Sequence, residues 1–155
     1  MLLKEIGKSK EAELITRKAI KINPDSAIAY SNLGSILSER GDWEEAELSL
    51  RKAIKISPNF AQAYSNLGNT LRNLENFKEA EDCYRKAIKI NPNFYEAHSN
   101  LGTILKDFGN LQEAEVSTRK AIELNPSFAI AYSNLASILE GLDKLKEAEL
   151  SARKA

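Results

Sequence analysis

The hexapeptide AYSNLG, Ala29 to Gly34, returns as Ala63 to Gly68, as AHSNLG at Ala97 to Gly102 and as AYSNLA at Ala131 to Ala136, always after 34 residues. A fixed period of this length means stacked supersecondary units, each with room for two helices and two turns. One such unit cannot bury its apolar side alone, so neighbours must cover one another. Complete units run 27–60, 61–94 and 95–128. Residues 1–26 form a partial unit, with MLLKEIG in the place of SILSERG (Ser35 to Gly41), and 129–155 breaks off inside its second helix. Neither end carries the polar outer face of a terminal solenoid unit. The expectation is a fragment of a longer array, or a chain that stacks through its uncapped ends.

Within a unit the apolar spacing is helical: Ala29, Tyr30, Leu33, Ile36 and Leu37, then Trp43, Ala46, Leu50, Ala53 and Ile54. Two amphipathic helices per unit, A and B, follow. Gly41 can close helix A in a left-handed cap, and Asp42-Glu45, Asn76-Glu79 and Asn110-Glu113 have capping-box spacing at the start of helix B. Pro24, Pro58, Pro92 and Pro126 end each helix B, because proline lacks an amide donor and disfavours the α region before it. Gly34, Gly68 and Gly102 are expected to face Ala46, Ala80 and Ala114 and so let the two backbones approach closely. Tyr30, Tyr64 and Tyr132 should fill the space between units, with Phe60, Phe94 and Phe128 at the joints and Trp43 in the core.

Composition narrows the function. With 22 basic and 22 acidic side chains there is no net field to attract nucleic acid or an anionic membrane. Arg17, Arg51, Arg85, Arg119 and Arg153 make a basic stripe, yet each has a Glu four residues earlier (Glu13, Glu47, Glu81, Glu115, Glu149), which reads as intrahelical pairing. No apolar run approaches the length of a membrane span, and Met1 to Ile6 is too short for a signal-peptide core. Cys83 is the only cysteine, which excludes an internal disulfide and suits a reducing compartment; the expected location is cytoplasmic. Catalysis is not expected: there is no Gly-rich phosphate loop, metal cluster or triad. His98 is the single histidine and stands in the aromatic series, while Cys83 aligns with Ser49, Ser117 and Ser151. No cofactor and no metal are implied.

Counted from Ala27, Ala61, Tyr95 and Ala129, each unit carries an aromatic residue at the fourth place, Leu at the seventh, Gly at the eighth, Ala at the twentieth and twenty-seventh and Pro at the thirty-second. The pattern resembles the tetratricopeptide repeat over essentially the whole chain. His98, Ala136, Thr118 and Ala152 are its departures. The resemblance implies an all-α solenoid of antiparallel helix pairs in a right-handed superhelix, with A helices on the concave face and B helices on the convex one. It implies protein or peptide partners, and neither nucleic acid nor membrane.

The recurring SNL is most similar to the repeat arms of O-linked N-acetylglucosamine transferases, where matching asparagines hold an extended polypeptide. Asn32, Asn66, Asn100 and Asn134 would form that ladder here. A carboxamide offers donors and an acceptor, and so can satisfy both groups of one peptide unit. Two roles are open to these residues: gripping a guest, or bonding to neighbouring helices. On the same alignment the concave face adds Ser31, Ser65, Ser99 and Ser133, then Ser35, Asn69, Thr103 and Ser137, with Arg72, Asn73, Lys106 and Asp107 deeper. That face is polar and nearly uncharged, and serines stand where a carboxylate-clamp lysine would be. The chain is read as a peptide-binding scaffold; the alternatives are a non-catalytic substrate-presenting arm of a larger glycosyltransferase-like enzyme, or a structural solenoid that stacks end to end.

Overall fold

The computed structural model describes residues 2–155, for residues 2–8 by their backbone alone, so Met1 lies outside the described residues. Over residues 2–7, which the repeat frame sets in the place of the helix end at Ser35 to Gly41, the helix runs on unbroken to Ile22. Among the described residues nine helices follow one another: α1 (Leu2–Ile22), α2 (Ala27–Arg40), α3 (Trp43–Ile56), α4 (Ala61–Asn73), α5 (Phe77–Ile90), α6 (Tyr95–Asp107), α7 (Leu111–Leu124), α8 (Ala129–Gly141) and α9 (Leu145–Ala152). They fall into two compact units, 1–83 and 84–155, with α5 beginning in the first and ending in the second. In the first unit α2 packs against α1, α3 and α4, and α3 against α4. In the second, α6 packs against α7 and α8, and α8 against α7 and α9. Even-numbered helices are the A helices of the sequence frame; α3, α5, α7 and α9 are B helices, and α1 ends as one.

Every A helix ends in the same way. Gly41 and Gly109 take left-handed backbone (φ 87° and 77°), and so do Glu75 (φ 60°) and Asp143 (φ 58°), one full period apart each time. The next amide then reaches back five residues: Asp42 to the Leu37 carbonyl at 2.9 Å, Asn76 to Leu71 at 2.8 Å, Asn110 to Leu105 at 2.9 Å and Lys144 to Leu139 at 2.9 Å. This closure satisfies helix-end carbonyls and reverses the chain. Glycine occupies the position without steric cost, whereas a side chain there meets the following carbonyl.

The B helices stop two residues short of proline, at Ile22, Ile56, Ile90 and Leu124. At three of these ends an asparagine side chain replaces the lost backbone pairing: Asn23, Asn91 and Asn125 Oδ1 accept from the amides of Asp25, Asn93 and Ser127 at 3.1–3.2 Å. Ser57 stands in the fourth. The expected capping boxes do not form at Asp42 or Asn110, whose side chains make no cap hydrogen bond. Asp42 instead pairs with the Arg40 guanidinium at 2.6 Å. A side-chain cap does form at Ser26, which accepts from the Ala29 amide at 3.2 Å.

The apolar core lies between A and B helices. In the first unit Leu33, Leu37 and Ala46 pack with Ile20; in the second Leu135, Leu139 and Ala148 pack with Ile122. Each fully buried leucine contributes roughly 1.5–3 kcal/mol. The small-residue contact differs from the expected one at Gly34 and is present at Gly102, with a second residue closer still. A methyl placed on Gly34 would meet the Leu50 side chain at 2.5 Å, not Ala46; one on Gly102 would meet Thr118 Oγ1 at 2.1 Å and the Ala114 backbone oxygen at 3.1 Å. The glycine thus makes room for the residue one turn beyond the alanine. Trp43 is only half-buried, and its counterparts Phe77 and Leu145 are exposed, so this place is an edge of the core and not its centre.

Candidate functional site

Two surfaces carry polar chemistry, one built by B helices and one by A helices. On the B side Arg17, Arg51 and Arg119 each bond to a carboxylate four residues earlier and also across to the next B helix, while Arg153 bonds to Glu149. Arg17 lies 2.8 Å from Glu13 and 2.5 Å from Glu45; Arg51 lies 2.7 Å from Glu47 and 2.6 Å from Glu79. In the second unit Arg85 reaches Glu113 at 2.7 Å, and Arg119 reaches Glu115 at 2.9 Å and Glu147 at 2.7 Å. The sequence showed the four-residue partner; the 28-residue partner is visible only once the helices stack. Charge pairing moves the titrations accordingly. The Arg17 side chain, helped by Arg40, holds the Glu13 carboxyl below its usual range against the opposing effect of burial; Lys144 and then Arg119 do so for Glu115. The Arg17 guanidinium is raised, by Glu45 first and then by Glu13.

Beneath this ladder lie crevices with an aromatic or apolar floor. One of about 420 Å³ is lined by Tyr30, Leu33, Ile20 and Leu48, and one of about 430 Å³ by Tyr64, Leu67 and Ile54. In the second unit one of about 400 Å³ holds Tyr132, Leu135 and Leu150, and one of about 450 Å³ has His98 in the tyrosine's place. Lys52 and Lys154 sit 5.9 Å over the Tyr30 and Tyr132 rings. Sequence reasoning treated these tyrosines as filler; their recurrence beside the arginines was the available signal. His98 Nε2 lies 2.9 Å from the Pro92 carbonyl, tying the ring to the preceding turn. Cys83 is buried, and burial first, then Glu79, pushes its thiol up to about 12, where it is no nucleophile at neutral pH.

On the A side, amides and hydroxyls form a seam between successive A helices of one unit. In the first unit Asn66 Nδ2 donates to Ser35 Oγ at 2.8 Å, and the Ser38 and Thr70 hydroxyls meet at 2.8 Å. In the second, Asn134 Nδ2 donates to Thr103 Oγ1 at 3.0 Å and Ser99 Oγ at 3.2 Å, and Lys106 Nζ to Ser137 Oγ at 3.4 Å. The hydroxyls orient the amides. Ser35 and Thr103 donate to carbonyls of their own helices, Ser31 and Ser99, both at 3.2 Å. With their protons spent they can only accept, so the asparagine must present its NH2 side.

The remaining expected residues divide by exposure. Ser31, Ser65 and Ser99 are no more than 2% exposed, which removes them from any surface a guest could touch. Their fellow Ser133 is exposed, as are Asn32 and Asn73. Asn73 bonds back to the Asn69 carbonyl at 2.8 Å. Asn66, Asn69, Arg72, Asn100, Thr103, Lys106 and Asn134 are half-buried. Asn32, Ser35, Asn66, Asn69, Arg72 and Asn73 belong to the first unit; Asn100, Thr103, Lys106, Ser133 and Asn134 to the second. Asn66 and Asn134 thus take the second of the two roles open to them, bonding to the neighbouring helix, through their nitrogens.

Among the described residues no three His, Cys, Asp or Glu side chains group as a metal site, and no helix is long and apolar enough to cross a membrane.

Stacked antiparallel helix pairs with one left-handed closure and one proline stop per period define a helical-repeat solenoid. Tetratricopeptide-repeat profiles match residues 61–94, 34–74 and 16–47 with 83–116. The chain belongs to the tetratricopeptide repeat family, whose arrays are scaffolds for protein interaction. No curated protein matches it significantly. Among solved structures, the chain is similar to MamA at 25% identity and TM-score 0.82, over 97% of this chain and 88% of that one. It is similar to YrrB, described as a TPR protein with an unusual peptide-binding site, at 25% identity and TM-score 0.74, over 99% and 79%. Pseudomonas aeruginosa pilF shares the fold at 22% identity and TM-score 0.87, over 97% and 68%.

Proposed function

We propose that this chain holds an extended peptide segment against its A-helix surface, on the repeat frame 27–60, 61–94 and 95–128 with partial units 1–26 and 129–155. The observation that carries the reading is the division of charge. Six of the seven arginines are engaged with carboxylates, four of them on B helices and Arg153 at the end of α9, while the A-helix seam is built mainly of neutral amides and hydroxyls that reach the surface, with Lys106 bonding into it at Ser137. Neutral groups of this kind match a peptide backbone, which carries donors and acceptors but no charge. An extended chain rises about 3.3 Å per residue, and helices pack about 8–10 Å apart, so within the second unit Asn100 and Asn134 would meet guest residues about three apart. Similarity to YrrB, a TPR protein with a peptide-binding site, supports the same reading.

A peptide array probed with the native chain and with Asn100→Ala/Asn134→Ala tests it, after circular dichroism shows both equally helical. Signal lost across many unrelated peptides is the expected result. Signal retained on the variant contradicts the reading.

A further inference from the structure

The two asparagines of the seam differ in what they leave open. In the first unit the Asn66 carbonyl already accepts a hydrogen bond, from Gln62 Nε2 one turn earlier on α4, at 2.9 Å. In the second unit the residue one turn before Asn134 is Ile130, which has no donor and is 61% exposed. Both hydrogen bonds of Asn134 run from its nitrogen, to Thr103 and Ser99, and its Oδ1 has no partner among the described residues. Thr103 fixes this orientation, because its own proton is spent on the Ser99 carbonyl. A flipped carboxamide would set oxygen against an oxygen with no proton to share. An acceptor is therefore left at the surface beside an aliphatic side chain.

We infer that Asn134 Oδ1 and Ile130 form a subsite of the second unit that takes one backbone N–H of an extended guest, next to an aliphatic guest residue. The inference rests on the peptide-binding reading and sharpens it: the asparagine does not serve both groups of one peptide unit here, but accepts only. Proline in the contacting position is excluded, since it has no N–H. Ile130 supplies apolar contact and, by failing to donate, keeps the carbonyl available. Gln62 closes the equivalent position in the first unit, so the two units differ in grip although their backbone frame is the same.

The test uses the strongest peptide from the array, resynthesised as a series in which one backbone amide at a time becomes an ester. Each ester removes one N–H, which is expected to weaken binding about three- to tenfold at the position over Asn134. Ile130→Gln, which rebuilds the first unit's cap on an exposed position, should weaken the parent peptide and abolish the sensitivity to that ester. Ile130→Ala controls for lost apolar contact and should keep the ester sensitivity. Thr103→Val, which frees the carboxamide to turn, should reduce it. A flat ester series, or an ester-sensitive position that Ile130→Gln and Thr103→Val both leave unchanged, overturns the subsite while peptide binding itself stands. Absence of any array peptide that binds overturns the parent reading and the subsite with it.

Discussion

The two units share a frame but not a fit. In the first, Gly34 clears space for the flexible end of Leu50, Asn66 is capped by Gln62, and the left-handed position after α4 is held by Glu75. In the second, Gly102 lies against Thr118 and a backbone oxygen, Asn134 is uncapped, and the left-handed position after α8 is held by Asp143. A repeat pattern therefore fixes where helices begin, end and cross. What each crossing tolerates, and what it offers a partner, depends on residues that vary between repeats.

The largest expected difference lies at the glycines. Gly102→Ala should destabilise by about 1–3 kcal/mol in urea unfolding, because β-branched Thr118 and the Ala114 backbone cannot yield. Gly34→Ala should cost clearly less: Leu50 can change rotamer, and alanine recovers up to about 1 kcal/mol of helix propensity. Equal losses would break the comparison. Thr118→Val should stabilise by about 1 kcal/mol, since Thr118 Oγ1 is buried with no hydrogen-bond partner and valine keeps its shape. A midpoint lowered by that change would mean the hydroxyl has an acceptor after all.

Acid should sharpen the same contrast on the B side. The folded-state carboxyls of Glu13 and Glu115 titrate below their unfolded range, so their stabilisation is complete above the unfolded value near 4.3 and is lost as pH falls through the folded values. Arg119→Gln should flatten the acid limb of the stability curve and cost about 0.2–1 kcal/mol at pH 7, the side chain being 47% exposed. An acid limb unchanged by Arg119→Gln would deny the Arg119–Glu115 pair an energetic role. The smallest effects concern backbone strain. Glu75→Gly should stabilise by about 0.5–1 kcal/mol, and Asp143→Gly by less, because aspartate tolerates left-handed backbone better than glutamate. A gain at Asp143 exceeding that at Glu75 would reverse this ordering.

Much of the fold was legible because its signals are local. Proline and glycine act on their own backbone, so Pro58, Pro92 and Gly41 mark helix ends in any context. The frame could also have flagged Glu75 and Asp143, which stand one period from Gly41 and Gly109. The capping-box spacing at Asp42 and Asn110 did not carry over, since neither side chain makes the cap hydrogen bond and Asp42 lies against Arg40 instead. The seam of amides and hydroxyls was legible in register and not in its bonding. Asn66 and Asn134 were identifiable by register, but which way their amides face depends on Ser35 and Thr103, 31 residues earlier, and on where those hydroxyls send their protons. The burial of Ser31, Ser65 and Ser99 likewise follows from the neighbouring helix and not from their own polarity.

Peptide occupancy of the A-helix surface, in place of the tyrosine-floored crevices between B helices, is most directly tested by backbone and side-chain NMR shift mapping with the strongest array peptide. The account predicts perturbations at Asn100, Thr103, Ile130 and Asn134 with Tyr132, Arg119 and Leu150 unmoved. Perturbations confined to Tyr132, Arg119 and Leu150, with the asparagines silent, would contradict it and move the binding site to the B side.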